Sequence, residues 1–85
     1  MSVRGLRVPR FYFHVRDALD CEDREGVSLP DADAAYEEAV RGARSIMASE
    51  VARGHLPLNG EIEVVDAAGE WRRVVPFREV VRIES

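Results

Sequence analysis

The chain contains no lysine: all twelve of its basic residues are arginine. A GC-rich coding bias produces such a pattern, and so does selection for bidentate contacts to carboxylate or phosphate. There is one cysteine, Cys21, which excludes an internal disulfide and leads us to expect the reducing cytoplasm. No apolar run approaches the roughly 18 residues a helical membrane span needs. The N-terminal MSVRGLRV is basic but carries no apolar stretch after it, so it is not expected to be a secretory signal. Gly5 and Gly26 stand alone, which excludes a glycine-rich phosphate cradle. One cysteine and two distant histidines, His14 and His55, give no zinc-ligand spacing. No internal repeat and no low-complexity linker is visible.

What remains is a chain of 85 residues, 46% hydrophobic and 33% charged, a composition that folds. Its length holds one sheet and one or two helices around a single core, and excludes a substrate cavity enclosed between two domains. Residues 9–85 read as one domain, and Met1–Val8 as a disordered arm or a misassigned start.

The charge is unevenly spread. Residues 1–16 carry Arg4, Arg7, Arg10 and Arg16 and no acid, whereas residues 17–38 carry nine acids against Arg24 alone. Ordinary surface solvation accounts for this, and so does a basic arm of one copy lying along the acidic stretch of another. The net charge of −4 and a pI near 5.1 argue against non-specific nucleic-acid binding.

Arg10–Arg16 alternates and is aromatic-rich, which predicts a strand with Phe11, Phe13 and Val15 facing the core. Tyr12, His14 and Arg16 share the other face, where Trp71 or Arg73 is expected to join them. Asp17–Glu25 reads as a solvated turn, and Gly26–Ser28 as a short strand returning beside the first. Asp31 or Asp33 caps a helix predicted over 32–53, with Ala32, Tyr36, Ala39, Val40, Ala43, Ile46, Met47 and Val51 on its apolar face. Gly54 stops it. Glu61–Val65 and Glu70–Pro76 flank Asp66-Ala-Ala-Gly69, a hairpin signal, and Pro76 ends its strand or marks a sheet edge. Phe77, Val80 and Val81 fit a helical turn, while Val81 and Ile83 fit a closing strand.

A helix of that length spans roughly 33 Å, but a seven-residue strand only about 23 Å. One end therefore overhangs the sheet. Glu50 within the apolar stripe assigns the overhang to the C-terminal end, which either frays in solvent or buries Ile46, Met47, Glu50 and Val51 against a second copy.

No complete catalytic set is present. Tyr12, His14 and Arg16 together suit an anion or a small aromatic ligand, or a plain sheet surface. His55 reads as loop filler. Acidic neighbours disfavour the thiolate of Cys21. The acidic run Asp17, Asp20, Glu22, Asp23, Glu25 lacks the ligand order of a calcium loop. No cofactor or metal is expected.

Three stretches, Pro9-Arg-Phe-Tyr-Phe-His-Val-Arg-Asp17, Glu25-Gly-Val-Ser-Leu-Pro-Asp31 and Val75-Pro-Phe77, together resemble a family of small uncharacterised bacterial proteins, common in alphaproteobacteria, that share a domain of unknown function. The resemblance runs from about Pro9 to Ile83, and departs at Ala18, where glycine is frequent in the pattern. It implies no activity. A weaker likeness, over about thirty residues including Glu38-Ala39, is to HicB-type antitoxins. The expectation is a two-layer α+β domain, one long helix on an antiparallel sheet of three or four strands. It is expected to be a cytoplasmic, non-catalytic interaction module that forms a homodimer. The alternatives are a HicB-like regulator binding a protein partner or nucleic acid, and an enzyme or small-ligand binder using Tyr12, His14 and Arg16.

Overall fold

A computed structural model describes residues 9–17 and 20–84; the expected arm at residues 1–8 lies outside them. The described chain forms strand β1 (Arg10–Arg16), a two-residue β2 (Val27–Ser28), helix α1 (Ala32–Val51), β3 (Glu61–Asp66), β4 (Arg72–Pro76) and one 3₁₀ turn, Phe77–Glu79. The strands make one antiparallel sheet in the order β2-β1-β3-β4, and α1 packs across one face of it. This is the two-layer α+β architecture the sequence predicts.

The alternation of β1 decides the layers. Phe11, Phe13 and Val15 pair with Asp66, Val64 and Ile62 and point toward α1, while Tyr12, His14 and Arg16 pair with Val65, Glu63 and Glu61 on the far face. Asp31 is the N-cap, its Oδ1 accepting the N–H of Ala34 at 2.8 Å, and Asp33 sits in the first turn. The buried ridge of α1 is Ala35, Ala39, Ala43 and Met47, at intervals of four. Three methyl-sized residues let the helix settle close on Ile62, Val64 and Val75. Ala35 belongs to this ridge although the expected apolar face omitted it. Val51, placed on that face by periodicity, is 52% exposed, beyond the reach of the sheet. The helix ends two residues short of the expected Arg53. His55 N–H reaches back to Glu50 O and Gly54 N–H to Val51 O, with Gly54 at φ 88°, the left-handed stop that glycine supplies.

Asp66 organises the hairpin: its Oδ1 accepts the N–H groups of Glu70 and Trp71, and Gly69 takes φ 74°. Pro76 is both the last residue of β4 and on a sheet edge. Phe77 N–H bonds Gly60 O, and ladder bonds alternate along antiparallel pairs, so Pro76 faces the open edge, where its missing donor costs no bond. Beyond it the chain takes the helical turn and not the closing strand. The single 3₁₀ turn buries Phe77 and Val80, and the Arg44 Nε donates to Val80 O at 2.8 Å.

The same alternation leaves the N–H groups of Phe11, Phe13 and Val15 pointing away from β3. β2 is too short to meet them all. Phe11 pairs with Val27; Val15 exchanges both backbone bonds with Cys21; between them the Asp23 carboxylate accepts the Phe13 N–H at 3.1 Å. Residues 21–28 thus follow the β1 edge as an interrupted strand.

Candidate functional site

Tyr12, His14 and Arg16 do share one sheet face, opposite α1. The Tyr12 and His14 rings lie parallel, centroids 6.5 Å apart. Neither Trp71 nor Arg73 joins them. Trp71 sets its edge against Phe11 at 5.8 Å, and Arg73, paired with Val64 on the helix side, lies 4.2 Å over the Tyr36 ring. The sequence placed β4 one residue out of phase, because the strand begins at Arg72 and Trp71 belongs to the turn. Arg72 and Val74 therefore occupy the far face.

On that face Glu63 stands between two guanidinium groups. Its Oε1 accepts from Arg16 Nη2 at 2.9 Å and its Oε2 from Arg72 Nε at 2.5 Å, while Arg16 Nη1 reaches Glu22. The Arg72 and Arg16 hydrogen bonds hold the Glu63 carboxyl below its usual range, and Arg16 does the same for Glu22. The two carboxylates in turn push the Arg16 guanidinium further above its already high range. An incoming anion meets an arginine that is already doubly neutralised.

His14 is engaged as well. Its Nδ1 accepts the Asp23 backbone N–H at 3.1 Å and lies 3.2 Å from Glu22 Oε1. Asp23 is thereby tied to both sides of β1: its N–H to His14, its carboxylate to the N–H groups of Phe13, Glu25 and Gly26. Desolvation raises the Asp23 carboxyl, but the bonds from Gly26, Phe13 and Glu25 outweigh it, and the net displacement is downward. The expectation of a solvated acidic turn fails at this residue. No sequence signal distinguishes Asp23 from its acidic neighbours.

Around the rest of the molecule, His55 lines an open concavity of about 620 Å³ together with Arg16, Asp17 and Asp20. Among the described residues no three His, Cys, Asp or Glu side chains gather as metal ligands, and every buried side-chain nitrogen or oxygen has a partner. No described helix is long and apolar enough to cross a membrane.

The four residues expected at a self-association face are divided. Met47 is 3% exposed and belongs to the chain's own core, because the α1 ridge that faces β3 and β4 ends on it. Ile46 and Glu50 turn toward Val15 and Cys21 on one flank of the helix. Val51 turns to the opposite flank, where Leu56, Val81 and Ile83 approach it. The last two are residues that sequence reasoning did not associate with Val51, since the C-terminal segment had no assigned path.

No curated protein and no solved structure matches the chain. A family model does match, over residues 10–78, which run from the start of β1 into the 3₁₀ turn and include the Asp23 knot, the far face and the Gly60–Phe77 closure. The chain belongs to that family, the domain of unknown function DUF6894.

Proposed function

We propose that this chain is a small, non-catalytic interaction module that associates with a second copy of itself. One observation carries the reading. Val51, Leu56 and Ile83, exposed by 52%, 51% and 59%, come from three separate segments yet line one groove of about 540 Å³ with Ala48 and Val81. Burying the exposed half of such side chains is worth about 1 kcal/mol each, enough to offset part of the cost of association. A non-catalytic role is supported by the far face, where His14 and Arg16 are both occupied in holding the loop and its neighbours in place.

Light scattering during gel filtration tests this, with an expected mass of twice 9.6 kDa that falls to the single-chain mass in Val51→Glu. A clean monomer of the unaltered chain at high micromolar concentration overturns it. Co-purification of a different protein or of RNA with a monomeric chain supports instead the regulator-like alternative. Turnover abolished by His14→Ala supports the enzymatic one.

A further inference from the structure

The helix leaves half of its sheet face incompletely covered. α1 packs chiefly against β3, β4 and the 3₁₀ turn, so a groove of about 400 Å³ opens between its other flank and β1. Phe13, Val15, Ile46 and Ile62 line it, and its two charged lining residues, Asp23 and Glu38, are both acidic. Glu38 is paired with Arg41 at i,i+3, both partly exposed; pairs of that kind contribute little in water and exchange readily. A groove with an apolar floor and an acidic rim suits a segment that offers apolar side chains together with arginine.

The chain carries such a segment outside its described residues. Positions 1–8 supply Val3, Leu6 and Val8 with Arg4 and Arg7, and no acid. We propose that the first eight residues of one copy lie in the α1–β1 groove of a second copy. The direction of the chain favours the second copy over the first. Pro9 O accepts the Leu29 N–H, so the described chain begins at the end of the β1–β2 ladder farther from Phe13 and Val15. Eight extended residues span up to about 26–29 Å, long enough to fill the groove from end to end. The stretch of helix from Glu38 to Ile46 covers only about 12 Å. Repulsion between the arms and attraction to the acidic stretch both fix the pairing as arm on groove.

This proposal needs a second copy and so rests on the self-association reading, but it can fail alone. A full-length chain with Ser2→Cys and Cys21→Ser, spin-labelled at position 2, is mixed with isotope-labelled, unmodified chain. The expected result is relaxation broadening of the Val15, Ser45 and Ile46 amides in trans, weakened by salt and lost when the spin-labelled chain also carries Arg4→Glu and Arg7→Glu. Circular dichroism of each variant confirms that the fold is kept. A dimer by light scattering without such broadening rejects the arm and leaves the dimer standing. Broadening found only when spin label and isotope share one chain also rejects it, and a monomer rejects both.

Discussion

The carboxylate of Asp23 takes the place of a strand carbonyl beside Phe13, accepting that residue's N–H at 3.1 Å in the gap that the two-residue β2 leaves open. It also accepts the N–H groups of Glu25 and Gly26. Replacing Asp23 with alanine removes the acceptor from three donors and is expected to destabilise the fold by about 1–3 kcal/mol in urea unfolding. The pH dependence has a definite sign. The folded-state carboxyl titrates below its usual 3.8, so the unfolded chain takes up protons first, and the stability Asp23 supplies above that value is lost as pH falls through the folded-state range. Thermal melts from neutral pH down to about pH 2.5 should show a smaller acid-induced drop in Asp23→Asn than in the unaltered chain. An equal drop would assign the acid sensitivity to Glu22 and Glu63 alone.

Gly26 closes the same knot, at φ 72°, with no room for a side chain: a Cβ would stand 2.8 Å from Tyr12 Cε1 and 2.9 Å from the backbone oxygen of Phe11. Gly54 has a similar φ of 88° but open space around it. Gly54→Ala therefore meets backbone strain alone, about 1 kcal/mol, while Gly26→Ala adds a clash with backbone that cannot step aside, about 2–4 kcal/mol in all. Paired denaturation curves check the order. Equal losses at the two positions would show that the β1–β2 loop moves freely.

Phe77 and Gly60 close the other end of the sheet. Phe77 is fully buried, its N–H bonds Gly60 O at 2.9 Å, and a Cβ on Gly60 would come within 2.6 Å of its ring. Phe77→Ala is expected to cost about 3–5 kcal/mol, a large share of what a domain of this size holds in reserve. Gly60→Ala should fall between that loss and the unaltered chain. A Phe77→Ala chain that melts within a few degrees of the parent would refute the placement of this ring in the core.

The elements that could be read from the sequence are those whose pattern is local. β1 alternates, α1 repeats at three and four residues, and Asp66-x-x-Gly69 encodes its own turn. What escaped has causes far along the chain. Glu63 meets Arg16 across 47 positions, a distance set by the register of β3 on β1. Ala35 and Val51 exchange roles because the sheet, not the periodicity of α1, decides where the buried ridge starts and stops. Asp23 is one acid among five in its loop, selected by the short β2 and by His14, neither visible in composition. The Tyr12, His14 and Arg16 face was legible as a face. That His14 Nδ1 and the Arg16 guanidinium are engaged by Glu22, Asp23 and Glu63 was not.

Glu63 provides the remaining test, because it separates Arg16 from Arg72 while itself only 17% exposed. Glu63→Ala leaves two guanidinium groups on one sheet face with Glu22 as the remaining acceptor of the network. Arg16 and Arg72 are themselves substantially exposed, so solvent screens most of the interaction, and the expected loss is about 1 kcal/mol or less. The diagnostic is its salt dependence. The difference between the parent and Glu63→Ala should shrink as ionic strength rises from about 0.05 to 0.5 M, which shortens the screening length from roughly 14 Å to roughly 4 Å. Since the two arginines hold the Glu63 carboxyl below its usual 4.5, the same difference should also vanish as pH falls through the folded-state range beneath that value. A difference indifferent to both salt and acid would mean that Glu63 acts through the packing of its stem against the sheet, and that the charge network contributes nothing to the fold.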